Sequence, residues 1–294
     1  MLRIPATSAN LGPGFDTLGL ALGLYNYFEV TKSKSHNLKV EGNGKDIPKL
    51  IKNNNFIKIF KEVYTELGGD ENDNFSFYCK NDIPFSRGLG SSSTVVIAAI
   101  IYAYHMLGIE FNKNWILQKA LKYEGHADNI TSALNGGFNI SIVKNNKITF
   151  IKNKISNEIK AVIVIPNRYI STKYSRKNLP LEYSFDDVIF NLSRASMLSG
   201  IFLTKKWDLL KIASEDKLHQ DQRMSLYPVL FSIKKEALRE GALMSVLSGS
   251  GSSILNICYS DDSSLLAKKL KNKFYNFEIL ELEFDNTGAV FNTI

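Results

Sequence analysis

Residues Pro84 to Ser93 read P-F-S-R-G-L-G-S-S-S. They follow the alternating residues Phe75, Phe77 and Cys79 and open into the apolar run Thr94–Ile109. The alternation predicts a strand, and the long apolar run predicts a buried core helix. The chain must therefore turn from strand to helix inside this loop. Gly88 and Gly90 let the backbone curl with no side chain in the way. Ser91, Ser92 and Ser93 then supply hydroxyls and unpaired backbone N–H groups at a helix start, where orphan donors and partial positive charge attract anions. The G-x-x-x-x-G-K-[ST] pattern and its lysine are absent, so this is not the common ATP loop. Two readings stand: a phosphate cradle, or a Gly/Ser turn with a serine N-cap.

A chain of 294 residues suggests one large or two medium domains. The net charge of +7 is spread along the chain, without a block of like charge that would read as a nucleic-acid arm. Diffuse positive charge suits an anionic substrate and equally suits solubility. Cys79 and Cys258 lie far apart in apolar stretches and read as buried reduced thiols, not a disulfide or a metal site. The start, M-L-R-I-P-A-T-S-A-N, shows no apolar signal region, and Thr94–Ile109 is short for a bilayer and holds His105. A cytoplasmic protein without nucleic-acid or membrane partners is expected.

Strands are expected at Arg3–Ile4, Leu18–Val30, Asn37–Glu41 and Phe75–Cys79, with Pro5–Phe15 a loop. Helices are expected at Phe56–Leu67, where Gly68-Gly69 ends the pattern, and at Asn114–Tyr123. Two strands flank a turn at Asn145-Asn146, and the polar stretch from Lys152 to Lys160 reads as a module boundary. Beyond it, Ala161–Ile165, Met244–Leu247, Ile254–Cys258 and Phe277–Phe284 read as strands. Ser184–Leu203, Trp207–Ala213, Pro228–Arg239 and Ser263–Phe274 read as helices. Mixed elements in this order predict an α+β protein in two lobes, divided at Ile155: 1–155 and 156–294.

Three more polar segments carry glycine. P-A-T-S-A-N-L-G-P-G-F-D, Pro5 to Asp16, gathers Thr7, Ser8, Asn10 and Asp16 around Gly12 and Gly14; an irregular turn would read the same. E-G-H-A-D-N, Glu124 to Asn129, could bind metal or orient a hydroxyl, or could be a helix C-cap at Gly125 followed by an N-cap at Asp128. L-S-G-S-G-S-S, Leu247 to Ser253, is a flexible loop after a strand.

In order and spacing these segments resemble the galactokinase, homoserine kinase, mevalonate kinase and phosphomevalonate kinase (GHMP) superfamily. The first segment, with S-T-K-Y-S-R-K-N-L-P (Ser171 to Pro180) and D-K-L-H-Q-D-Q-R (Asp216 to Arg223), is similar to the homoserine kinases within it. The resemblance spans nearly the whole chain. Departures are Ser93-Thr94 and Ser252, where the family often has alanines and proline, and Ala127, where many members have proline.

The resemblance implies a two-lobed fold: an N-terminal lobe like the second domain of ribosomal protein S5 and a ferredoxin-like C-terminal lobe, with the site in the cleft. It implies ATP-dependent phosphorylation of the side-chain hydroxyl of L-homoserine. Pro84, Arg87, Gly88, Leu89, Gly90, Ser91, Ser92 and Ser93 would hold the ATP phosphates, and Ser92 and Glu124 would hold Mg²⁺. Arg176 and Arg223 would grip the substrate carboxylate, since a planar guanidinium matches two oxygens. Asn10 and Asp16 would accept from the ammonium, and Thr172 would help place phosphate or substrate. His126, Asp128 and Asn129 would surround the reacting hydroxyl. Asn54 and Asn55 are candidate adenine contacts, and a homodimer is left open. Another small-alcohol kinase, or a non-catalytic nucleotide sensor on the same fold, are the alternatives.

Overall fold

The computed structural model describes residues 1–291, apart from the side chains of residues 49 and 50. The chain runs β1 (Leu2–Ala9), β2 (Leu18–Lys32), β3 (Asn37–Gly42), α1 (Pro48–Lys52), α2 (Asn55–Glu66), β4 (Phe75–Asn81), α3 (Ser91–Met106), α4 (Lys113–Glu124), α5 (Ala127–Asn135), β5 (Phe138–Lys144) and β6 (Lys147–Asn153). It continues through β7 (Ile159–Ile165), α6 (Thr172–Lys177), α7 (Phe185–Thr204), α8 (Leu210–Ala213), α9 (Gln220–Ser225), α10 (Val229–Arg239), β8 (Met244–Leu247), β9 (Ile254–Tyr259), α11 (Ser263–Lys273), β10 (Glu278–Leu282) and β11 (Val290–Phe291).

The first sheet has the order β11-β1-β2-β4-β3, with β5 pairing the other end of β2 and β6 pairing β5. All its pairs are antiparallel except β3–β4. The strand β1 runs on to Ala9, through residues expected to be loop. The register shifts between Pro5 and Ala6, and at such a bulge the missing proline N–H disturbs the ladder little. Helices α2 to α5 cover this sheet, with Phe28, Phe56, Phe60, Phe75 and Phe77 in the core between.

The second sheet has the order β10-β7-β9-β8, antiparallel throughout. With its helices it forms the βαββαβ pattern of a ferredoxin-like lobe. Strand β7 shows why both faces are buried. Val162 and Val164 pack with α10 and α11, whereas Ala161, Ile163 and Ile165 join a core shared with β2, Phe138 and α7. That shared core joins the two sheets, and the Phe138 and Phe202 rings stack in it at 4.1 Å.

The change of sheet falls between β6 and β7, within the polar stretch around Ile155. The C-terminal residues then return: Phe284 bridges Leu22, and β11 pairs with β1. Among the described residues no helix is long and apolar enough to cross a membrane.

Candidate active site

A cavity of about 540 Å³ opens between the lobes. It is lined by Asn10, Asp16, Pro84, Arg87, the loop Gly88 to Ser93, Glu124, His126, Asp128, Asn129, Thr172, Arg176 and Arg223. Residues more than 200 positions apart in sequence therefore share one space, of a size that suits a nucleotide with a small second substrate.

The glycine loop is held from below by β1, where Thr7 N–H donates to Leu89 O at 3.1 Å. Gly90 begins α3 in the left-handed region, at φ 67°, and no side chain caps the helix. The serine-cap alternative is therefore not what forms. The first N–H groups of a 16-residue helix are left for an anion. A Cβ on Gly90 would collide with the Thr7 hydroxyl, which donates to Asn129 Oδ1 at 2.6 Å. A Cβ on Gly88 would collide with the Ser248 carbonyl. The loop Leu247 to Ser253 grips the glycine loop directly. Ser248 Oγ lies 2.7 Å from Gly88 O and 2.8 Å from Ser8 Oγ, and Ser253 N–H donates to Arg87 O at 3.0 Å. The Arg87 guanidinium stacks on the Tyr169 ring at 3.8 Å, with Nη1 buried and unpartnered.

Helix α4 ends at Glu124, and Ser92 Oγ donates to Glu124 Oε1 at 2.5 Å. Burial raises the Glu124 carboxyl above its ordinary value, against the hydrogen bonds from Ser92 and Ser93. The next helix, α5, starts at Ala127 with His126 as its N-cap, so Asp128 is not the cap. Ala127 occupies the first helical position, where proline is also favoured. Asp128 is buried and accepts from Asn129 N–H at 2.7 Å. Burial pushes its carboxyl up to about 7, helped by the charge of Asp16 and opposed by Asn129 N–H and Arg176.

The other side of the site is cationic. Arg176, on α6, donates to Asp16 Oδ1 at 2.7 Å, and Arg223, on α9, donates to Gly249 O at 3.1 Å. Phe15 lies between them, its ring 4.9 Å from the Arg176 guanidinium and 5.0 Å from that of Arg223. Both Nε groups are buried without partners. Burial, then the nearby Arg176 charge, pulls Arg223 down to about 10. An anion bound between the two guanidiniums would relieve that repulsion and take the free donors.

Some expected residues prove to be engaged. Asn10, at φ 69°, spends its amide on Gly249 O and its carbonyl on Asp16 N–H, so it shapes the loop that carries Asp16. Asn54 lines the cavity, but its carbonyl caps α2 by accepting from Phe56 and Ile57 N–H. Thr172 Oγ1 lies 3.3 Å from Ser250 Oγ.

Two supporting residues were not singled out from sequence. Buried Asn26 donates to Ser91 Oγ (3.3 Å) and Thr94 Oγ1 (2.9 Å) and accepts from Ile83 N–H, pinning both ends of the glycine loop. Its signal is an asparagine inside the otherwise apolar run Leu18 to Phe28. Buried His219 donates from Nε2 to Gly12 O at 2.8 Å. Burial pushes its ring down to about 4, so it is neutral and supports Arg223 without competing for an anion.

Comparison with known proteins agrees with this geometry. Residues 54–139 match the family model for the GHMP kinase N-terminal domain, and residues 200–276 match that for the GHMP kinase C-terminal domain. Fold and site thus define a GHMP-type small-molecule kinase. Over 98% of both chains the sequence is 53% identical to a homoserine kinase of Helicobacter hepaticus, and over 98% of both it is 50% identical to one of Aliarcobacter butzleri. A crystal structure of homoserine kinase from Cytophaga hutchinsonii superposes with a TM-score of 0.85 at 25% identity, covering 98% of this chain and 96% of that one. L. major mevalonate kinase shares the fold, with a TM-score of 0.75 at 16% identity over 98% of this chain and 96% of that one. The chain belongs to the homoserine kinase family of the GHMP kinases.

Proposed function

We propose that this protein transfers the γ-phosphoryl group of ATP to the side-chain hydroxyl of L-homoserine, giving O-phospho-L-homoserine and ADP, in threonine biosynthesis. The paired guanidiniums of Arg176 and Arg223, with free donors in the cavity of the glycine loop, carry this reading. Such a pair suits a substrate that bears a carboxylate and disfavours a plain sugar.

In this reading the α3 N-terminus and the Gly88–Ser93 backbone hold the phosphates. Arg176 and Arg223 take the homoserine carboxylate, and Asp16 takes its ammonium. The hydroxyl oxygen bonds to the γ-phosphorus, the bond to the β–γ bridging oxygen breaks, and the hydroxyl proton passes to Asp128. Positioning supplies most of the acceleration, because a loose phosphoryl-transfer transition state needs little covalent help. Thr7 fixes Asn129 beside Asp128, which keeps the acceptor end of the site rigid.

Mg²⁺ fits the Ser92–Glu124 pair: a hydroxyl and a buried carboxylate supply hard oxygen ligands next to the phosphate loop. No cluster of three His, Cys, Asp or Glu forms a metal site among the described residues, which suits an ion held largely by phosphate and water. When bound, the ion would neutralise phosphate charge. The enzyme would work in the cytoplasm, where Cys79 and Cys258 stay reduced.

The test is ADP release from Mg-ATP with L-homoserine added or omitted, with mevalonate, galactose and L-serine in parallel. Turnover on homoserine alone is expected. ATP binding without turnover on any alcohol would replace this reading with that of a nucleotide sensor.

A further inference from the structure

The loop that carries Phe15 and Asp16 belongs to the N-terminal lobe, yet residues of the C-terminal lobe hold it. Gly12 O accepts from His219 Nε2 at 2.8 Å, and Pro13 O accepts from Asn191 Nδ2 at 3.4 Å. Gly12 stands at φ 87°, with the Ser214 carbonyl where a Cβ would go. Behind these contacts lies Asp216, its side chain fully enclosed. Its two oxygens accept from Asn191 Nδ2 (2.7 Å) and from the N–H groups of Leu218 (3.1 Å), His219 (2.9 Å) and Gln220 (2.7 Å). A buried carboxylate with all these bonds made keeps Asn191 and His219 in place.

The His219 ring stands between an acceptor and a donor. Gly12 O can only accept, so Nε2 carries the hydrogen. The Arg223 guanidinium can only donate, and its Nη1 faces His219 Nδ1 at 3.4 Å, so Nδ1 keeps its lone pair. One neutral tautomer satisfies both partners. The Phe15 ring lies against the imidazole at 5.0 Å. A second bridge runs through Gly249 O, which accepts from Arg223 Nη1 and from Asn10 Nδ2, while Asn10 Oδ1 accepts from Asp16 N–H.

We infer, on the reading that homoserine is the substrate, that His219 in this tautomer is a positioning residue that fixes the separation between Arg223 and the loop bearing Asp16. The ammonium and the carboxylate of an α-amino acid leave the same carbon. The groups that bind them must therefore keep one separation, although Asp16 and Arg223 come from different lobes. His219 holds that separation because it bonds both sides at once. It touches neither the substrate nor the nucleotide, and acts through Arg223 and Gly12.

The test compares homoserine with 4-hydroxybutyrate, which lacks the ammonium, and with 3-aminopropan-1-ol, which lacks the carboxylate. The two analogues are read as inhibition constants against homoserine. His219→Leu removes both ring contacts. It should raise the homoserine KM about tenfold, with kcat and the ATP KM changed less than about threefold. The inhibition constants of the analogues should also change less than about threefold, because one end alone imposes no separation. His219→Gln can donate to Gly12 O and accept from Arg223, and should recover most of the loss. The ¹⁵N NMR spectrum of the natural protein without substrate should show the His219 ring protonated at Nε2 alone at neutral pH, its signals assigned by their absence from His219→Gln. A ring protonated at Nδ1 would overturn the inference. So would a loss in His219→Leu as large for ATP, or for both analogues, as for homoserine. If His219→Leu does not fold, a homoserine KM raised about tenfold in His219→Gln overturns it instead. A natural protein inactive on homoserine overturns the homoserine reading and this inference with it, whereas an active one with the wrong variant pattern overturns this inference alone.

Discussion

Arg176 and Asp128 represent two ways in which a single residue can serve this site. Arg176 holds Asp16 through one nitrogen and keeps Nε free. Arg176→Ala should therefore raise the KM for homoserine with a smaller change in kcat, since it removes binding present before the transition state. Charge-assisted bonds contribute about 1.5–3 kcal/mol, so a rise of roughly tenfold to a few hundredfold is expected in steady-state kinetics. Asp128, pushed up to about 7, should make kcat/KM fall as pH drops below neutrality, as the carboxylate takes up a proton. Asp128→Asn should abolish that limb and lower kcat about ten- to a hundredfold. Its effect on stability has the opposite sign. A carboxyl raised on folding binds its proton more tightly in the folded state, so the stability it provides at low pH is lost as pH rises from about 4 to 7. Asp128→Asn should then raise the urea midpoint at pH 8 relative to the natural protein, with a smaller difference at pH 4. An unchanged midpoint at pH 8 would argue that Asp128 is not strained by burial.

Among the elements, the glycine loop depends on its neighbours. The sequence predicts a strand, this loop and a helix, and the structure adds the hairpin loop of β8 and β9 that closes on it. Gly88 stands at φ 74°, with the Ser248 carbonyl where a Cβ would go. Gly88→Ala combines left-handed strain with a backbone clash and should cost on the order of 1–3 kcal/mol of stability. It should also weaken ATP binding, read by nucleotide titration, because the phosphate loop must move away from Ser248. The long elements were legible because their periodicity extends over many residues. Helices α6 and α9, of six residues each, were not, since two turns hold too few positions to establish a period. Yet these short helices carry Arg176 and Arg223. Their motifs, not their periodicity, marked them as part of the site.

For the whole molecule, the two sheets are held by one apolar core. Phe202 of α7 stacks on Phe138 of β5 and meets Trp207 edge-on at 5.7 Å. Phe202→Ala should destabilise the protein by about 3–5 kcal/mol, read from the urea midpoint. Because the cavity lies between the lobes, its KM values should rise as well. The sequence by itself established the α+β class and the principal strands and helices, and its short polar motifs contain many of the residues that line the cavity, because local periodicity and motif spacing record them. Only the tertiary structure decided that β1 continues through Pro5, that the C-terminal residues return to the first sheet, that Asn10 is occupied within its own loop, and that Asn26 and His219 support the site. Each of these follows from contacts between residues distant in sequence, and a pattern read along the chain has no record of which distant groups will meet.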